Sequence, residues 1–172
     1  MGLAAAAEGP VVVGREVHGE TMFWLTRRTI RRLIDTERVF ASIESAELRT
    51  SGEIRVCIAP CFWGSVEQAA DRAFVRLGMT KTREHNGVLF FVVPSRRAFV
   101  VLGDGGIHAR VGQAFWDEVA AVLSEHFRRG EFTSGLVAGI SKAADVLATH
   151  FPHDAARDTN ELSDEIDIAG RS

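Results

Sequence analysis

Across residues 36–152 the apolar positions fall into alternating helical and extended periods, with turn residues between them. Val39, Phe40, Ile43 and Ala46 recur at helical spacing, with Asp35 or Thr36 placed to cap a helix that ends near Arg49. Gly52 separates this helix from a strand over 53–59, on which Ile54, Val56 and Ile58 share one face and Glu53, Arg55 and Cys57 the other. Pro60 ends the strand. Ser65 opens a second helix with Val66, Ala69, Ala70, Ala73, Phe74 and Leu77 as its apolar stripe and Gly78 as its stop. After the loop "MTKTREHNG", with its Asn86-Gly87 turn signal, "VLFFVV" is apolar without alternation, the pattern of a central strand covered on both faces. "PSRR" joins it tightly to "AFVVLGD", and the two read as an antiparallel hairpin. "GDGGIHARVG" leads into a long helix carrying Phe115, Trp116, Val119, Val122, Leu123 and Phe127, which Gly130 ends. A last helix over 133–150 buries Leu136, Val137, Ile140, Ala144 and Leu147 and stops at Phe151-Pro152.

The order α-β-α-β-β-α-α predicts an α/β protein: a three-layer α/β/α sandwich around a small mixed β-sheet. Strands 1 and 2 run parallel through a right-handed crossover, and strand 3 is the antiparallel hairpin partner of strand 2. Upstream, "FWLTRRTIRRLID" places Arg27, Arg28, Arg31 and Arg32 on a helix beside Ile30, Leu33 and Ile34. The plain reading is a solvated face; the sharper one is a phosphate or membrane-surface contact. Residues 1–22, rich in Ala, Gly and Val and without a clear period, read as a flexible leader, and 23–152 as one domain. Residues 153–172 carry six acids against two arginines and read as a disordered acidic tail.

Composition narrows the picture by exclusion. The chain has 172 residues, 46% hydrophobic and 25% charged, ordinary values for one domain with its own core. A net charge of −3 gives no basis for nucleic-acid binding. The two cysteines, Cys57 and Cys61, have neither the spacing of a redox or zinc motif nor the number of a disulfide framework. Cys57 in its strand reads as a small buried hydrophobe in a reduced compartment. The N-terminus lacks a basic n-region and a continuous apolar h-region, and no apolar run approaches membrane-spanning length. The expectation is a soluble cytoplasmic protein with no membrane insertion.

The topology concentrates polar chemistry at one end of the sheet. The start of strand 1, the start of strand 2 and the end of strand 3 meet there, bringing Ser51 and Glu53, then Glu84, His85 and Asn86, then Asp104, Gly105, Gly106 and His108. Calcium and similar hard cations take oxygen from carboxylates, amides and backbone carbonyls, which Glu53, Glu84, Asn86 and Asp104 could supply. Gly103, Gly105 and Gly106 allow close backbone approach. Against this stands a plainer account: sheet ends are loops, loops are polar, and Asp104 caps the next helix. The opposite end, where ligands of open parallel sheets are usually found, offers Cys61, Phe62, Trp63 and the turn arginines Arg96 and Arg97, with no carboxylate constellation.

The runs "AELRTSGEIRV", "LGMTKTREHNGVLFFVV", "RRAFVVLGDGGIHARVG", "FWDEV" and "FRRGEFTSGL" resemble, in order and spacing, the TPM-domain family, over about residues 36–152. That family includes thylakoid-lumen, photosystem II repair and receptor-accessory members, and the chain looks closest to its small soluble bacterial branch. The resemblance implies the α/β/α sandwich, binding of divalent cations, calcium above all, in some members, and a phosphatase activity assigned to a plant member. Matched residue by residue, Glu53 belongs to "TSGEIRV", Glu84 and Asn86 to "TREHNG", and Asp104 and His108 to "GDGGIH". The chain departs from many members in carrying His108 where they have an acid, no Asp near Gly112, and Ser95 before the turn arginines. Fewer charged ligands weaken a calcium site.

Two functions follow as expectations. One is a non-catalytic module binding a divalent cation such as Ca2+, or a protein partner. The alternative is a metal-assisted acid phosphatase acting on phosphomonoesters, with Asp104 as metal ligand or nucleophile, His108 as acid and Arg55 clamping phosphate. No phosphate-cradling loop and no complete catalytic site accompany the second reading.

Overall fold

The computed structural model describes residues 27–60, 64–153 and 166–168, and the backbone of 11–16. Five helices and five strands follow in the order β1 (Val11–Glu16), α1 (Arg27–Leu33), α2 (Thr36–Glu47), β2 (Ile54–Ile58), α3 (Val66–Arg76), β3 (Val88–Val93), β4 (Ala98–Gly103), α4 (Gly105–Arg128), α5 (Phe132–His150) and β5 (Asp167–Ile168). The sheet order is β1-β4-β3-β2-β5. β2 and β3 are parallel, with Ile54 opposite Val88, and β3 and β4 are antiparallel, with Val88 opposite Gly103.

Strand alternation sends two sets of side chains to two cores. Ile54, Val56, Ile58, Val88, Phe90, Val92, Phe99 and Val101 pack with α1, α2, α4 and α5 on one face. Cys57, Leu89, Phe91, Val93, Val100 and Leu102 pack with α3 and Met79 on the other. The result is the three-layer α/β/α sandwich that the period pattern predicts, with every residue of β3 and β4 buried.

Local chemistry sets the element ends. Asp35 Oδ1 accepts from the Arg38 backbone N–H at 3.0 Å and caps α2, while Ser65 Oγ accepts from Gln68 N–H at 3.2 Å and caps α3. α4 is bent at Gly112, whose φ of 69° and ψ of 176° lie outside helical space and are accessible to glycine alone. The predicted solvated arginines are exposed at Arg28, Arg31 and Arg32, while Ile30 of the same helix and Ile34 just after it are fully buried.

Both terminal segments correct the sequence expectation. Within the expected leader, Val11–Glu16 pairs antiparallel with β4 over six residues, Val11 opposite Gly103 and Glu16 opposite Ala98. Three consecutive β-branched valines favour a strand, and β4, buried on both faces, presents an edge for it. Within the expected disordered tail, Asp167 and Ile168 pair parallel with Cys57 and Ile58 on the outer edge of β2. Residues 1–10, 17–22, 154–165 and 169–172 of these segments lie outside the described residues. No helix among the described residues is long and apolar enough to cross a membrane.

Candidate functional site

The polar end of the sheet is built by three interlocked segments. The first, Thr50–Glu53, is stitched to the end of α5: Thr50 Oγ1 donates to Phe151 O, Ser51 N–H to Phe151 O at 3.0 Å, and Thr50 bridges Pro152. A Cβ on Gly52 would come within 2.7 Å of a Leu147 methyl, so a larger residue here would push that side chain aside. This anchoring presents the Ser51 hydroxyl, which donates to Glu84 Oε2 at 2.8 Å. Asn86 Nδ2 donates to the Ser51 carbonyl at 3.0 Å and lies 3.4 Å from the same Glu84 oxygen. Ser51, Glu84 and Asn86 thus form one hydrogen-bonded group across the mouths of β2 and β3.

The third segment docks onto the second through glycine. A Cβ on Gly106 would meet the carbonyl oxygens of Glu84 and His85 at 2.5 and 2.6 Å, and one on Gly103 would enter the Trp116 ring at 2.2 Å. Ile107 N–H donates to His85 O at 3.1 Å, and Asp104 N–H to Gly87 O at 2.9 Å. These glycines serve intramolecular packing, whereas the sequence reading gave them to a ligand. Asp104 is the N-terminal residue flanking α4: Oδ1 accepts from Gly105 N–H at 2.7 Å, and Oδ2 sits 3.1 Å from His85 Nδ1. His85 is held at a positive φ of 51°, uncommon for a side chain of its size, and most of its ring faces solvent. His108 Nδ1 accepts from Trp116 Nε1 at 3.2 Å.

Glu53 meets an arginine. Its backbone carbonyl accepts from Val88 N–H at 2.8 Å, but its buried carboxylate faces Arg55, with Oε2 and Nη2 4.0 Å apart. Both side chains are over nine-tenths buried, on the α3 face of β2. Arg55 is therefore enclosed rather than offered to a dissolved phosphate. Among the four sequence-predicted ligands, the structure links Glu84 with Asn86, ties Asp104 to His85 and sets Glu53 against Arg55. Among the described residues, no group of three or more His, Cys, Asp or Glu side chains is placed to hold a metal ion. At the opposite sheet end, Arg96 Nη1 donates to Gly64 O at 2.7 Å, a structural tie, while Cys61, Phe62 and Trp63 lie outside the described residues.

A second polar group went unread in the sequence. The Cys57 thiol donates to Asp167 Oδ2 at 3.0 Å, and Arg76 Nη2 donates to the same oxygen. Burial first, and then the neighbouring Asp167 carboxylate, push the Cys57 thiol far above its ordinary range. The thiol is therefore protonated and unreactive at neutral pH. Its burial agrees with the sequence reading, but its hydrogen bond does not belong to a plain hydrophobe. The alternation "EIDI" was the available signal for a strand here.

A sandwich of this topology, with a short parallel pair, an antiparallel hairpin and a polar mouth closed by "TSGE", "TREHNG" and "GDGG", defines a distinct class of small α/β domain. The TPM domain matches residues 33–146, and the chain belongs to that family. Among solved structures it is similar to the BA42 protein of the psychrophilic bacterium Bizionia argentinensis, determined by NMR. The two are 35% identical with a TM-score of 0.74, over 85% of this chain and 96% of that one. No curated protein matches.

Proposed function

We propose that the protein is a non-catalytic binding module whose polar sheet end takes a divalent cation, calcium above all, through Glu84, Asn86 and Asp104, with Glu53 as a further carboxylate. The observation that supports this reading is the pairing of Glu84 and Asp104 with weak donors: a hydroxyl and an amide for one, an imidazole and a backbone N–H for the other. Neither arrangement neutralises the carboxylate as a guanidinium would. Because the carboxylates now sit in separate local arrangements, cation binding requires them to exchange partners. That places the affinity in the weak range, on the order of 10⁻⁴ to 10⁻³ M.

Thermal unfolding with and without calcium tests this. At tenfold excess over Kd, linkage adds about 1.4 kcal/mol of stability, several degrees in Tm. The response should vanish when Glu84→Ala and Asp104→Ala are combined. No shift at 10 mM calcium (about tenfold over the weakest Kd expected), or a shift that survives the double substitution, overturns the reading. The phosphatase alternative draws less support: Arg55 is enclosed with Glu53, and His108 Nδ1 is engaged by Trp116. Phosphomonoesterase activity that disappears in Asp104→Ala but not in a distant surface variant would restore it.

A further inference from the structure

Residues 166–168 lie on the domain as a peptide lies on a strand-adding receptor. Asp167 stands opposite Cys57 and Ile168 opposite Ile58, in parallel register with β2. Alternation then divides the segment. The Asp167 carboxylate points to the α3 side, where Arg76 and the Cys57 thiol both donate to its Oδ2. Ile166 and Ile168 turn to the other side and pack against the large core. Backbone pairing supplies affinity, and alternate side chains supply specificity: one carboxylate-reading position between two aliphatic ones.

Pro152 lies beside Thr50 and Asp167 beside Cys57, positions at most about 25 Å apart along the segment that leads into β2, at ~3.6 Å per residue. The connecting residues 153–165 could reach roughly twice that distance if extended. β5 is two residues long, far below the usual five or so, so its backbone pairing is short and attachment to the same chain adds to its hold through effective concentration. An occupant held this way can be exchanged.

We propose that the outer edge of β2 is a docking site for an extended segment of another protein in which an aspartate is flanked by two aliphatic residues, and that residues 166–168 hold it in cis until such a segment displaces them. Arg76 is the selecting residue, because a guanidinium at this edge discriminates a carboxylate from an amide at the central position.

The probe is a fluorescent synthetic peptide with the sequence of residues 161–172. It is titrated by anisotropy against the full chain, and against a full chain whose own segment is weakened by Asp167→Asn with Ile168→Ser. The weakened chain should bind at least about tenfold more tightly than the unaltered one, since the tethered competitor is lost. Adding Arg76→Gln to the weakened chain, or Asp→Asn at the centre of the peptide, should each cost about tenfold, the loss of one charge-assisted hydrogen bond. No binding by a folded weakened chain overturns the proposal, as does equal affinity for the Asp and Asn peptides. A concentration-dependent dimer that peptide dissolves would make a second copy the occupant and overturn the assignment to another protein. Should the weakened chain fail to fold, the isotope-labelled unaltered chain decides. Millimolar peptide should move the Asp167 and Ile168 amide resonances to the positions of an undocked segment, and resonances that stay in place count against displacement.

Discussion

At the polar sheet end, the carboxylates of Glu84 and Asp104 meet a hydroxyl, an amide and an imidazole; on the β2 edge, the carboxylate of Asp167 meets a guanidinium and a thiol. Both groups lie at the margin of one sheet, yet their electrostatics are opposite. The first retains negative charge that a cation could use. The second is a matched pair already assembled, and its charge is spent on holding a strand. Acidic residues near a sheet margin therefore carry no functional meaning as a class; the partner each one meets decides what it can bind.

Experiments can break this comparison, beginning with the strongest. Gly106→Ala drives a methyl group into the backbone carbonyls of Glu84 and His85, which cannot move aside as a side-chain tip can. It should cost about 2–3 kcal/mol in urea unfolding, while the β2 edge on the far side of β3 keeps its contacts. Next come crossed substitutions in a Cys61→Ser background. Arg76→Gln should speed disulfide-reagent labelling of Cys57 about tenfold and leave the calcium-induced Tm shift intact, while Glu84→Ala should do the reverse. If either substitution moves both readouts, the two groups are one.

Titration separates them further. The Cys57 thiol is raised above its ordinary 9.0 in the folded chain, so the folded state holds its proton while the unfolded state releases it. Its contribution is complete below pH 9 and is lost as pH rises above it, by up to about 1.4 kcal/mol per pH unit. Comparing unfolding from pH 8 to 10 with a Cys57→Ala chain isolates that slope, and equal slopes would show that the thiol is not protected. The smallest effect is expected of Ser51→Ala, which removes one donor from Glu84. It should lower stability by about 0.5–1 kcal/mol and leave calcium affinity equal or higher, since the ion no longer competes with the hydroxyl. A large loss of affinity would make Ser51 a ligand in its own right.

The body of the fold was legible because its signals are strong and local. The continuous apolar run Val88–Val93, the Ser65 cap and the alternation of β2 each point one way, and the structure follows them. The convergence of Ser51, Glu84, Asn86 and Asp104 was legible from strand direction alone. Their partners were not, because hydrogen bonding depends on rotamers that strand order does not determine. Glu53 shows the gap most clearly: strand parity placed it on the same face as Arg55, but not the 4.0 Å approach of its carboxylate to that guanidinium. Both edge strands escaped because each is a short signal inside a segment whose composition suggests disorder. Val11–Glu16 follows an alanine run, and Asp167–Ile168 follows an acidic one.

Trp116 rests against Gly103, one residue before Asp104, and its indole N–H donates to His108. It is fully buried, so its emission is shielded from solvent and responds to the charge and position of the imidazole beside it. Replacing Trp24 and Trp63 with phenylalanine would leave a chain with a single native fluorophore at the mouth of the sheet. Such a chain carries its own optical gauge: a ligand that reorders the Asp104 segment announces itself by a change in indole emission, without any label attached.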